Sequence, residues 1–256
     1  MKLAVSGKGG VGKTTLTSLL AYAFVSRGYG VLAIDADPSP CLADALGFPK
    51  ELVHDMVPIA KMDALIAERT GAKPGTYGGM FKMNPKVDDI PDRFSATHRG
   101  IKLLELGAVE HGGSGCICAE SVLLKQLVSQ VLLQRNEVVL MDMYAGVEHL
   151  GRATSDMVDA MLIAAEPTAR SLGTAAQIKQ LATDLRIQTL YLVGTKVASQ
   201  ADRDFIAENS PGLQVIGYIS ADPAVLVADR EHKPVYDLAP KLVKESEAIL
   251  DALTKK

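Results

Sequence analysis

The run Gly7-Lys8-Gly9-Gly10-Val11-Gly12-Lys13-Thr14 has the spacing G-x-x-x-x-G-K-[ST], between an apolar run and a helical pattern. Glycines at this spacing let backbone N–H groups turn inward to form a concave nest for phosphate oxygens. The helix expected from Lys13 adds the positive end of its dipole. In such a cradle the Lys13 ammonium meets β/γ-phosphates, the Thr14 hydroxyl is placed for Mg²⁺, and Thr15 can reach an α-phosphate. Two further runs end in carboxylates. Val31-Leu32-Ala33-Ile34-Asp35-Ala36-Asp37 closes on Asp35 and Asp37, and Val138-Val139-Leu140-Met141-Asp142 closes on Asp142. The carboxyl edge of a parallel sheet is where ligands bind; the alternative for Asp35 and Asp37 is an Asx turn that caps the next helix.

A second chemistry lies in Gly112-Gly113-Ser114-Gly115-Cys116-Ile117-Cys118. In an extended segment residues two apart face the same way, so the two thiols converge. Soft thiolates suit Zn²⁺, Ni²⁺, Cu⁺ or an iron–sulfur cluster. Two ligands do not close a four-coordinate site, and His111 is not at a familiar zinc-ligand spacing. A two-fold dimer would supply four sulfurs, because an isologous interface repeats the same patch. The alternatives for the pair are buried packing or a redox couple. Cys41, alone after Pro38-Ser39-Pro40, is read as a packing residue.

These residues need a scaffold, and the rest of the chain supplies one. Apolar runs at Leu3–Ser6, Val31–Asp35, Lys102–Leu106, Val138–Asp142, Ala160–Ala165, Thr189–Gly194 and Gln214–Tyr218 alternate with helical patterns at Lys13–Arg27, Glu120–Arg135, Ser171–Leu185 and Leu238–Leu253. Strands apolar along their whole length are covered on both faces. The expected fold is therefore α/β, with a doubly wound, mainly parallel sheet of about seven or eight strands flanked by helices, in one domain over 1–256. The interval from about Leu52 to Arg99, dense in proline and glycine, breaks the rhythm; it is read as a helix over Ile59–Arg69 followed by an irregular excursion.

Composition narrows the partners. The 256 residues carry a net charge of −3, no Trp, five Phe and seven Tyr, which gives neither the basic footprint nor the stacking platforms of a nucleic-acid binder. No apolar stretch reaches the roughly 18 residues of a membrane span. The chain opens directly on a strand-like run without the pattern of a signal peptide, so a cytoplasmic location is expected. Near the end, Leu238, Leu242, Ile249, Leu250 and Leu253 form an apolar stripe among Lys241, Lys244, Glu245, Glu247 and Asp251. Mixed charge without aromatics reads as a packing helix rather than a membrane anchor.

The second lysine of the glycine loop, Lys8, makes the motif resemble the deviant Walker A of the MinD/ParA/nitrogenase-iron-protein ATPases. The resemblance implies a P-loop fold, ATP hydrolysis, and a nucleotide-sandwiched homodimer. In this class the extra lysine crosses to the partner's phosphates and stabilises transition-state charge as an arginine finger does. It further implies that Asp37 orients or deprotonates the attacking water, that Asp35 lies near the magnesium shell, and that Asp142 holds Mg²⁺ through a water. Gly146 would be the glycine that senses the γ-phosphate. Tyr191-Leu192-Val193-Gly194-Thr195-Lys196 lies where the class has Asn-Lys or Asn-Arg, which puts Thr195 and Lys196 in the base pocket; Ser220-Ala221-Asp222-Pro223 is a second candidate for base contacts. With Cys116 and Cys118 added, the chain is similar to the nickel-insertion ATPases of carbon monoxide dehydrogenase maturation (the CooC type). That likeness implies ATP/ADP and Mg²⁺ as cofactors, Ni²⁺ (with Zn²⁺ as the competing ion) on Cys116 and Cys118 at the dimer interface, and a client nickel enzyme, carbon monoxide dehydrogenase or acetyl-CoA synthase. The rivals are a positioning ATPase and an iron–sulfur reductase, whose two cysteines per chain lie far apart in sequence.

Overall fold

The computed structural model describes residues 1–72, 81–107, 119–130, 136–144 and 158–255. Within them lie eight strands: β1 (Lys2–Gly7), β2 (Gly30–Ala36), β3 (Ala96–His98), β4 (Ile101–Glu105), β5 (Glu137–Met143), β6 (Ala160–Ala165), β7 (Leu190–Val197) and β8 (Gln214–Ser220). The helices are α1 (Lys13–Ser26), α2 (Leu42–Ala45), α3 (Lys50–Val53), α4 (Asp63–Thr70), α5 (Ile90–Phe94), α6 (Ala119–Gln130), α7 (Ala169–Asp184), α8 (Gln200–Glu208), α9 (Ala224–Glu231), α10 (Val235–Leu238) and α11 (Pro240–Thr254).

All eight strands join one sheet in the order β3-β4-β2-β5-β1-β6-β7-β8, parallel except for β3 against β4. Successive side chains of a strand point to opposite faces, and β1 shows the result. Leu3 and Val5 enter a core with α1 and α11, whereas Ala4 enters the opposite core with α6 and α7. Both faces are thus covered, as the uninterrupted apolar runs require. α1 is buried nearly all round, from Leu16 through Phe24, because it lies between the sheet and α11. α11 turns Leu242, Ile249 and Leu250 inward and packs on β8 and α1, so the terminal stripe is a packing surface. No helix among the described residues is long and apolar enough to cross a membrane.

Two sequence expectations change. The helix expected over Ile59–Arg69 is two pieces, a 3₁₀ turn at Ile59–Lys61 and α4, separated at Met62. Met62 has φ −88° and ψ 72°, outside the helical region, and it ends one helix where the next begins. The described part of the excursion, residues 52–72 and 81–99, is also not wholly irregular. It carries α5 and β3, and Arg69 ties α4 to Asp89 at 2.8 Å, with Arg93 on the same carboxylate at 3.1 Å. Those two guanidinium groups hold Asp89 down to a pKa of about 2.

Candidate functional site

Sheet register builds the site. β1 lies between β5 and β6, with Val5 opposite Asp142 and Gly7 opposite Ala164. The loop leaving β1 therefore passes between the ends of two strands that are more than 130 residues away in sequence. Gly7 is held against β6 so closely that a Cβ would sit 2.5 Å from the carbonyl oxygen of Ala164. A main-chain oxygen inside a sheet cannot move aside. Gly7→Ala is expected to cost about 1–3 kcal/mol by forced displacement of β1 from β6, read as a lower urea midpoint with an unchanged slope.

At the other end of the loop Gly12 begins α1 with φ 97° and ψ 27°, a left-handed conformation that favours glycine. No side chain caps this helix and no acidic residue occupies its first turn. The first N–H groups of a helix lack internal partners, and here they face the loop, ready for an anion. Lys13, 9% exposed, places Nζ 3.3 Å from the carbonyl oxygen of Lys8, which also accepts from the Val11 N–H at 3.2 Å. Thr14 Oγ1 donates to Asp142 Oδ2 at 2.6 Å, and Thr15 lies half-buried beside it. Gly9 and Gly10 are exposed at the tip.

The aspartates divide by function. Asp35 is buried and accepts three N–H bonds: Asp37 on Oδ1 at 3.0 Å, and Cys41 and Leu42 on Oδ2 at 2.9 Å each. It fixes the 37–42 loop and the start of α2, the capping arrangement open to it from sequence. Asp37 is half-exposed, and its Oδ1 accepts from the Ser39 N–H at 2.9 Å in an Asx turn. Asp142, 1% exposed, keeps Oδ1 buried without a hydrogen-bond partner among the described residues. Register also puts Glu105, Asp35 and Asp142 side by side on β4, β2 and β5. Burial pushes all three carboxyls upward, and the charge of Asp35 adds repulsion on Glu105 and on Asp142, which rises to about 7. An unpartnered buried oxygen, an adjacent hydroxyl and crowded negative charge form a donor set suited to a hard divalent cation with oxygen ligands such as Mg²⁺.

The candidate base pocket lies on an irregularity. β7 and β8 slip register between Gly194 and Val197, and Lys196 sits in that bulge with φ 54°. Thr195 is buried with Oγ1 unpartnered. Lys196 turns back to the loop and donates to the Gly10 carbonyl oxygen at 2.6 Å. The Ala221 N–H bonds the Val197 carbonyl at 2.9 Å, which brings the Ser220–Pro223 turn to the same place.

Two residues gain positions that sequence reading did not give them. Cys41 is exposed rather than packed, and its Sγ lies 3.5 Å from Thr14 Oγ1; partial burial and the nearby carboxylates push its thiol up. Glu166, the first residue after β6, stands 3.9 Å from Lys8 Nζ and 3.6 Å from Lys196 Nζ. An acidic residue directly after an apolar strand was the available signal, the same one that marks Asp35 and Asp142. Cys116, Cys118, His111 and Gly146 lie outside the described residues.

A family model described as the CobQ/CobB/MinD/ParA nucleotide binding domain matches residues 2–235. The carbon monoxide dehydrogenase accessory protein CooC of Rhodospirillum rubrum is 46% identical over 256 residues, covering 100% of this chain and 97% of its own. An uncharacterized ATP-binding protein of Methanocaldococcus jannaschii is also 46% identical, covering 100% and 98%. Among solved structures, a ParA family ATPase from Chlorobium tepidum superposes with a TM-score of 0.69 at 18% identity, covering 98% of this chain and 97% of that one. The cell division protein MinD of Aquifex aeolicus does so with 0.67 at 18%, covering 100% and 98%. The two solved structures bear on the fold alone.

Proposed function

The chain belongs to the CobQ/CobB/MinD/ParA nucleotide-binding family as an ATPase of the CooC type, and from that premise we propose that it is an ATP-driven homodimeric nickel chaperone for carbon monoxide dehydrogenase. The observation that carries the nucleotide half is the glycine loop on an uncapped helix, with buried Lys13 inside and half-exposed Lys8 outside. Lys13 is committed to its own loop. Lys8, half-exposed and 3.9 Å from Glu166, would extend over a neighbouring copy on closure.

In this reading the backbone N–H groups from Gly9 to Thr14 hold the phosphates, and Lys13 neutralises the β/γ end. Thr14 and Asp142 would hold Mg²⁺, which supplies charge neutralisation at the β/γ-phosphates. Asp37 leaves its Asx turn to orient the attacking water, and Lys8 from the facing subunit stabilises the charge that develops. The Asp35-braced loop and Gly146 distinguish ATP from ADP. Thr195 and the Ser220–Pro223 turn read the base. Closure brings Cys116 and Cys118 of both copies together around Ni²⁺, the cargo; hydrolysis reopens the dimer and frees the ion to the client. The likeness to the R. rubrum carbon monoxide dehydrogenase accessory protein favours carbon monoxide dehydrogenase over acetyl-CoA synthase as that client.

Metal and ATP both prefer the closed dimer, so each tightens the other's binding. Equilibrium dialysis of nickel against zinc, with and without ADP, is expected to show about one ion per two chains, and loss of it in Cys118→Ala. Dialysis of wild type that retained no nickel, or retained it fully in Cys118→Ala, would refute the thiolate site. A visible iron–sulfur absorption band in protein as isolated would favour the reductase instead.

A further inference from the structure

The geometry points to Glu166 as the positioning residue of Lys8, a carboxylate that holds this lysine in its own subunit until the dimer closes. The inference rests on the trans role of Lys8 in the proposed function and adds where that lysine waits.

Glu166 is fixed from its own backbone outward. It follows β6 directly, and β6 is paired to β1 up to Gly7 opposite Ala164, so sheet register sets Glu166 beside Lys8. Its N–H donates to Ser171 Oγ at 3.1 Å, and its carbonyl accepts from the Thr168 N–H at 2.7 Å. Thr168 in turn caps α7 by accepting from the Ser171 N–H. The side chain is 23% exposed and divides its two oxygens, Oε1 toward Lys8 Nζ and Oε2 toward Lys196 Nζ. Lys196 is already anchored on the Gly10 carbonyl at 2.6 Å. Glu166 therefore ties an anchored cation to one whose side chain is 40% exposed and has no other partner among the described residues. Without that negative charge, two ammonium groups would flank the loop tip unopposed.

An ion pair that exists only while Lys8 is withdrawn stabilises the open state, and a partner must overcome it. Its worth is that of a partly exposed pair, which is modest and sensitive to salt. Removing the charge should favour the closed dimer.

Sedimentation of the full chain with Mg²⁺ and a non-hydrolysable ATP analogue reads this directly. Glu166→Gln is expected to dimerise about two- to fivefold more tightly than wild type at about 50 mM salt, with the difference gone near 500 mM. Glu166→Asp, which keeps the charge, should stay within about twofold of wild type. Glu166→Ala carries the same expected sign should the amide variant fail to fold. A Gln variant that dimerises equally or more weakly, or a gain indifferent to salt, would overturn the holding role. A gain in Glu166→Asp as large as in Gln would make the effect steric and overturn it too. Wild type that stays monomeric with the analogue would instead sink the trans role of Lys8, and this inference with it.

Discussion

Asp142→Asn is expected to yield a protein that melts higher without nucleotide and hydrolyses ATP about 100-fold more slowly. Both effects have one cause. The wild-type carboxyl is buried with Oδ1 unpartnered and with Asp35 nearby, so burial and repulsion lift its pKa from 3.8 to about 7. The folded chain thus holds a proton that the unfolded chain releases across that window. Stability falls as pH rises from about 4 to about 7, and the full cost stands above 7. A shift of this size corresponds to at most about 4 kcal/mol. Asn is neutral at every pH and can still accept the Thr14 hydroxyl. The variant should match wild type near pH 4 and exceed it at pH 8 by roughly 5–10 °C in Tm. Melting curves at the two pH values, with Mg²⁺-dependent turnover beside them, check it. An equal advantage at both pH values would show that charge is not the cause. The loss of turnover is expected because an amide oxygen brings no net negative charge to a divalent cation.

Lys8→Ala is expected to bind ADP nearly as wild type does and to lose about 10³-fold in turnover, the scale of a finger residue supplied in trans. Lys13→Ala should behave differently. Lys13 is 9% exposed and bonded inside the loop, so its loss removes nucleotide binding itself. Lys8 makes no bond to the loop's own carbonyls and approaches Glu166 at 3.9 Å. Fluorescent-ADP titration and steady-state hydrolysis separate the two variants. Full turnover in Lys8→Ala, or parallel loss of ADP affinity, would place Lys8 in its own subunit's site and remove the reason for a dimer.

The seven strands expected from sequence are all present, the central ones because a strand buried on both faces is apolar along its length. β3 escaped notice: Ala96-Thr97-His98 is three residues of edge strand with little apolar content. α8 escaped for a related reason. It buries Ile206 alone, and its start is set by a Ser199–Asp202 capping box rather than by an apolar stripe. In the site, Lys13 and Thr14 stood out as candidates because strand, loop and helix follow one another in the chain, and Asp142 because it closes an apolar run. Glu166 beside Lys8, and Cys41 beside Thr14, depend on which strands become neighbours. Local pattern does not carry that information.

β1 lies at the centre of the sheet, yet both its neighbours, β5 and β6, come from beyond residue 136. A ribosome that has released the chain through β4 has therefore made the glycine loop but neither of its walls. The nascent chain can set β2 beside β4, but the place of β1 stays vacant until Ala165 emerges. Nucleotide can act as a late template for folding, never an early one. A truncation ending before β6 should be a client for chaperones rather than a weak ATPase.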